Sequence, residues 1–214
     1  MSRAGTKSNQ GDDYQLLVAL HWLIRLLVDD EINYIQAESN GLPGIDEKVS
    51  VDDVVVVYKD GRRCHIQVKK NQSTYRAWSL ADLDDELPKI LEQLEINSNC
   101  FVELSSRSPF GDLQSVTEAC HEYPDLPAFQ RGAGKNVNNT LTSLASGWNR
   151  TVDETFHLLL RLTFGPHHTF EGWRRENKLD LERIIPHADK ALPVLESFLN
   201  AHQSKLQANT LASI

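Results

Sequence analysis

Asp52, Asp53, Gln67 and Lys69 are the residues of this chain whose types and spacing can do chemistry together. An acid at the head of one strand, with an amide and an ammonium on the next, can hold a divalent cation beside a phosphate group. The cation acidifies a bound water, and the ammonium offsets charge as a phosphodiester is attacked. These residues flank Val54-Val55-Val56-Val57-Tyr58, the tripeptide Lys59-Asp60-Gly61, and a second run from Cys64 to Lys70. A β-branched run, an Asp-Gly turn and an alternating run together predict a β-hairpin. Gln67 and Lys69 then share one face of the second strand, and Ile66 and Val68 share the other.

Register decides which aspartate joins them. A three-residue Lys59-Asp60-Gly61 loop with Gly61 in the left-handed position pairs Tyr58 with Arg62 and sets Asp53 opposite Gln67. A two-residue Asp60-Gly61 loop shifts the pairing by one and brings Asp52 to that face. Gly61 suits the bulge position, which favours Asp53 and keeps Asp52 in reserve.

The surrounding pattern supplies elements to position such a site. Gly11-Asp12-Asp13-Tyr14-Gln15 opens a stretch with Leu16, Leu20, Leu23, Ile24 and Leu27 at helical spacing, and the two acids suit a positive helix N-terminus. Ile32 to Glu38 reads as a strand ending in an acid, followed by a loop at Gly41, Pro43 and Gly44. Leu80 to Leu94 predicts a helix, and Cys100 to Leu104 a further core strand. Ser105 to Gly111 reads as a loop near the strand end. From Asp112 the chain turns mainly helical, with helical periodicity over Thr151 to Phe164 and Leu179 to Gln207, the latter interrupted by Pro186 and Pro193. Tyr123 to Asn139, rich in Pro, Gly and Asn, reads as a flexible connection.

The set Gly11-x-x-Tyr14-Gln15, Glu38, Asp53 and Gln67-Val68-Lys69 resembles the PD-(D/E)xK nuclease superfamily, and more narrowly the double-stranded-DNA endonuclease domains of bacterial antiphage effectors, both those activated by cyclic oligonucleotides and those fused to large NTPase sensors. The resemblance implies an α/β fold: a restriction-endonuclease-like core with a central mixed sheet flanked by helices, plus a mainly helical C-terminal part. It divides the chain into a nuclease core at 1–110 and a helical continuation at 111–214, leading toward a sensor module outside this chain. The implied catalytic set is Asp53, Gln67, Lys69, Glu38 and Gln15, with Glu38, Asp53, Gln67 and the Val68 carbonyl around Mg²⁺ or Mn²⁺. Gln67 stands where the commoner pattern has an acid. The implied partners are double-stranded DNA, further copies of the chain, and a sensor that licenses cleavage by assembly.

Other readings of the same residues stand beside this one. An Asp at a strand entrance often caps a turn, a Lys often guards a sheet edge, and a Gln often faces solvent. The alternative function is therefore a catalytically inactive module of the same fold, kept for nucleic-acid binding or oligomerisation. A third is a restriction-type enzyme that selects a sequence through the helical second half. On the nuclease reading, where Lys69 serves charge stabilisation rather than folding, Lys69→Ala is expected to leave the thermal midpoint nearly unchanged.

Composition bounds these choices. The chain has 214 residues, 40% of them hydrophobic, which is enough for a buried core. Its formal net charge of −8 excludes a protein that coats nucleic acid through its whole surface. The longest apolar stretch, Leu16 to Val28, contains His21 and Arg25, so neither a membrane span nor a secretory signal is expected. Three cysteines without metal-ligand spacing suggest a reducing cytoplasm. Gly132-Ala133-Gly134-Lys135 lacks the first Gly and the Ser or Thr of a phosphate loop, and adjacent His167 and His168 point apart.

Overall fold

The computed structural model describes residues 3–37, 42, 48–51, 53–69 and 76–201, with side chains from Asp13 onward except that of Asn200. Its centre is a five-stranded sheet in the order β1 to β5: β1 (Ile32–Ala37), β2 (Val54–Tyr58), β3 (Arg63–Val68), β4 (Cys100–Ser105) and β5 (Leu162–Phe164). The first two pairings are antiparallel, and β3, β4 and β5 run parallel. Parallel pairs need crossovers, and here they are helical. A 3₁₀ turn (Leu80–Leu83) and α2 (Leu87–Ile96) link β3 to β4. The helices α3 (Gly111–Glu122), α4 (Leu126–Gly132), α5 (Lys135–Gly147) and α6 (Val152–Leu159) link β4 to β5.

Two large cores lie on opposite faces of the sheet, and a smaller cluster of Tyr34, Leu42, Val55 and Val57 adjoins β1 and β2. On one, Val102, Leu104 and Leu162 meet the buried sides of α2 to α6, including Ile90, Leu113, Phe129, Leu144 and Phe156. On the other, Ile35, Val54, Val56, Ile66 and Val68 meet α1 (Arg3–Val28), with α7 (Phe170–Glu182) and α8 (Ala188–Ala201) stacked on it through Trp173, Leu181 and Leu195. With both faces covered, β2 reads as an unbroken valine run, and Val54, Val55, Val56 and Val57 are all buried.

The hairpin forms in the three-residue-loop register. Val54 pairs with Ile66 and Val57 with Arg63, the Tyr58 N–H donates to the Arg62 carbonyl (2.9 Å), and Gly61 sits at φ +89°. An L side chain adopts that φ at a cost, whereas Gly supplies it freely. The ladder therefore continues to Asp53 facing Gln67.

Four expectations change. The first helix begins at Arg3 rather than Gly11, because helix-compatible residues precede that glycine and a single interior Gly costs only about 1 kcal/mol. Asp12 and Asp13 are thus mid-helix and do not serve its positive end. The Leu80 to Leu94 stretch is divided, since Pro88 lacks an N–H and suits a helix start; it sits in the first turn of α2. The segment read as a flexible connection is α4 and the start of α5: Asp125 caps α4 by accepting from the Ala128 N–H (2.8 Å), Pro127 occupies its first turn, and Gly134 is the N-cap of α5. The helical reading of Thr151 to Phe164 holds only to Leu159, after which β5 joins the edge of the sheet.

Candidate functional site

The hairpin and the crossover to α2 bring most of the predicted set together at the carboxyl end of β3. Asp53 Oδ2 accepts from Gln67 Nε2 (2.5 Å) and from the Val68 N–H (2.7 Å). One carboxylate oxygen thereby closes the end of the β2–β3 ladder, and charge-assisted bonds of this kind are the stronger ones. The Lys69 N–H donates to the Ser105 carbonyl (2.8 Å), which extends the β3–β4 ladder by a residue. Lys69 Nζ lies 2.5 Å from Glu86 Oε1 and 5.1 Å from the centre of the Trp78 ring, a cation–π arrangement. Both side chains of that ion pair are largely buried, at 16% and 14% exposure. Trp78 Nε1 in turn donates to Ser106 Oγ (2.9 Å).

A second network fixes the entrance to β2. Gln93 Oε1 accepts from the Ser50 N–H (2.8 Å), its Nε2 meets His65 Nε2 (3.3 Å), and His65 Nδ1 meets the Val51 carbonyl (3.1 Å). A neutral imidazole protonated on Nδ1 satisfies both contacts at once. Lys48 and Ser50 reach Glu92 at 2.6 and 2.5 Å, so residues 48–51 are tied to α2 on its charged side.

The remaining predicted residues stand elsewhere. Gln15 is half-buried on α1 and makes no hydrogen bond to Asp53, Gln67 or Lys69. Its neighbour Tyr14 is a core residue whose hydroxyl donates to the His168 carbonyl (3.0 Å). Glu38 and the reserve Asp52 lie outside the described residues. His167 and His168 do point apart: His167 contacts the Ser106 carbonyl (2.9 Å) and Gln114 Oε1 (3.0 Å), while His168 packs edge-on against Trp173.

As a setting for a divalent cation, the described donors fit poorly. Asp53 Oδ2 is taken by two N–H donors, and Gln67 turns its NH₂ rather than its oxygen toward that carboxylate. Among the described residues no group of three His, Cys, Asp or Glu converges. A hard cation needs several oxygens aimed at one point, and of the expected ligands Glu38 lies outside the described residues.

One acid outside the motif differs from all of these. Glu103, in the middle of β4, is mostly buried, and desolvation pushes its carboxyl up to about 7. Nearby, burial raises the Tyr58 phenol to about 12 and the Cys64 thiol well above its usual range. An acid between apolar residues of a predicted core strand was the available signal.

No protein-family profile and no curated protein matches this chain. Solved structures do. The Acinetobacter baumannii Cap4 SAVED/CARF-domain containing receptor aligns with a TM-score of 0.60 at 12% identity, over 92% of this chain and 44% of that one. The same receptor with the cyclic trinucleotide 3'3'3'-cAAA aligns at 0.59 and 12%, over 92% and 42%. The Moraxella osloensis Cap4 SAVED/CARF-domain containing receptor aligns at 0.51 and 19%, over 94% and 43%. The chain shares its fold with these receptors. It spans about two fifths of their length.

This likeness corrects the motif-based assignment. The α/β description with a central mixed sheet and flanking helices stands, but the restriction-endonuclease-like label gives way to the architecture shared with the SAVED/CARF-domain containing receptors. With it go the PD-(D/E)xK membership, the Mg-dependent hydrolase, the antiphage DNA endonuclease, and the partner set of double-stranded DNA with a sensor outside the chain. The motif misled for a local reason. Asp53, Gln67 and Lys69 do stand near one another, yet their polar atoms are engaged with each other, with the Val68 N–H and with Glu86. No helix among the described residues is long and apolar enough to cross a membrane.

Proposed function

We propose that this chain is a noncatalytic module of a receptor that responds to cyclic oligonucleotides, coupling nucleotide binding to association of the protein. The observation that carries this reading is the fold shared over nine tenths of the chain with Cap4 SAVED/CARF-domain containing receptors, one of them with a cyclic trinucleotide. The chemistry of the Asp53 to Glu86 cluster supports it. Each described charge there already has a partner, so the cluster stiffens the end of the sheet. Such a scaffold suits a module that transmits a binding event through packed elements. A cytoplasmic location belongs to the same reading, supported by the fact that none of Cys64, Cys100 and Cys120 forms a disulfide.

The test is titration of the purified chain with a cyclic tri-adenylate, read by calorimetry and by the mass distribution in solution. Saturable binding accompanied by a change in assembly is expected. Failure of both readouts overturns the proposal, and so does Mg²⁺-dependent cleavage of plasmid DNA that Asp53→Ala abolishes.

A further inference from the structure

The ends of α1 and α7 and the start of α8 leave an opening between them. The Ile185 N–H still reaches the Leu181 carbonyl (3.0 Å), but Pro186 has no N–H with which to continue the helical ladder. His187 then takes φ +65°, in the left-handed region, and its carbonyl accepts from the Lys190 and Ala191 N–H groups (2.9 and 3.3 Å) as α8 begins. Around this break lies a groove of about 550 Å³, walled by Leu27 of α1, Leu181 of α7, Ile185 of the connection, and Ala191, Val194 and Leu195 of α8. Small-molecule pockets typically measure about 300–1,000 Å³.

Two observations give the groove a ligand chemistry. The first is apolar surface left in water: Val194 in its wall is 50% exposed, and Val28, next to Leu27, is 54% exposed. These are two of the three large hydrophobic residues exposed among the described ones, so the apolar surface of the molecule is concentrated here. The second is charge. Lys190 is the one charged residue in the described lining, and no carboxylate joins it there. It is exposed, and its side chain has no hydrogen bond or ion pair among the described residues, although Asp189 and Glu196 stand on the same helix. His187, exposed on the same edge of the groove, adds a ring nitrogen. An apolar trough edged by an unpaired ammonium complements a molecule with an apolar body and a single anionic head. The chain's own residues 202–214 are a poorer match, because they contain Lys205 and no Asp or Glu to meet Lys190.

We propose that the groove between α1, α7 and α8 binds a free medium-chain carboxylate, with the alkyl chain against Leu27, Ile185 and Val194 and the head group on Lys190. This does not depend on the nucleotide response proposed above. Chain length should dominate affinity, since each methylene taken out of water strengthens binding about fourfold. The ammonium should contribute less and should lose its effect in high salt, because it is exposed to solvent.

The experiment is calorimetric titration of the full chain with octanoate and with decanoate, each below the concentration at which it aggregates. Decanoate should bind saturably at one site, about tenfold tighter than octanoate. Ala191→Leu extends a side chain into the groove and should weaken decanoate about tenfold, while Lys190→Gln should weaken it about threefold and Lys190→Arg should restore it. Thermal melts check that each variant is folded, and the chain-length comparison needs no variant at all. The proposal is overturned if decanoate does not bind, if octanoate binds equally well, or if either Ala191→Leu or Lys190→Gln binds decanoate like the parent. Binding that appears only after residues 203–214 are removed would assign the groove to that segment. Association of the chain that Val194→Asp abolishes and decanoate leaves untouched would assign it to a second copy. Either result also overturns the carboxylate site.

Discussion

The two faces of the sheet treat buried charge in opposite ways. Beside α2, Asp53 holds Gln67 and the Val68 N–H, and Lys69 holds Glu86, so each charge carried inward meets a complementary group. On the α1 side of β4, Glu103 is carried inward and meets none among the described residues. Paired groups of the first kind are costly to break singly, whereas an unpaired acid of the second kind is a cost already present in the folded state. Stability experiments should therefore give opposite signs on the two faces.

The largest effect is expected at Asp53. Asp53→Ala leaves the Val68 N–H and the Gln67 amide without their acceptor, and a bond to a charged group contributes about 1.5–3 kcal/mol. A loss of about 3 kcal/mol is expected by denaturant unfolding, with the slope unchanged. A loss below about 0.5 kcal/mol would remove the structural role assigned to that carboxylate.

Glu103 should respond in the other direction and only above mildly acidic pH. Its folded value, about 7, lies above the ordinary carboxyl value of 4.5, so the folded state binds the proton more tightly. The stabilising contribution is full below the unfolded value, declines as pH rises, and is gone above about 7. The groups whose fields reach it, Cys64 on β3 and Tyr58 on β2, are themselves held neutral by burial and do not offset this. Glu103→Gln should thus gain stability at pH 8, with a ceiling of about 3.5 kcal/mol from a rise of about 2.5 pKa units at about 1.4 kcal/mol each, and almost nothing at pH 4. Equal effects at both pH values would show that the carboxyl does not titrate in this window.

Lys69 comes next, and here the structure revises the expectation that Lys69→Ala leaves stability untouched. The side chain is largely buried, paired with Glu86 and seated on Trp78. Lys69→Met keeps the stem on the ring but strands Glu86, at a cost of about 1–3 kcal/mol. Adding Glu86→Gln should recover most of that loss. If the double variant is as unstable as the single one, the pair is not what Lys69 contributes.

The same contrast explains what could be read from sequence. Register was legible because Lys59-Asp60-Gly61 encodes its own turn, and the turn alone fixes Asp53 opposite Gln67. Glu86 as the partner of Lys69 was not, because an ion pair across a crossover leaves no local pattern. β5 was hidden because three residues are too few for a period, and its neighbours in sequence are helical. α4 and α5 were hidden for a different reason: Pro and Gly mark helix starts as well as loops, and Asp125, Pro127 and Gly134 all stand at starts. The motif itself located a real cluster. The sequence could not say whether the polar atoms of that cluster face a ligand or each other.

The smallest effect is expected for Gly165→Ala, where the added methyl meets Glu103. Gly165 does not have a positive φ, so alanine brings no backbone strain and removes about 0.4–1 kcal/mol of unfolded-state entropy. Against that gain stands its Cβ, 3.0 Å from Glu103 Oε1 and 3.4 Å from Ser105 Cβ, which requires the carboxyl to shift. Glu103 is not held by any hydrogen bond among the described residues, so it can turn aside at small cost. The two terms nearly cancel, and stability should change by less than about 0.5 kcal/mol. A stability loss above about 2 kcal/mol would show that Glu103 is held more firmly than its lack of partners among the described residues implies.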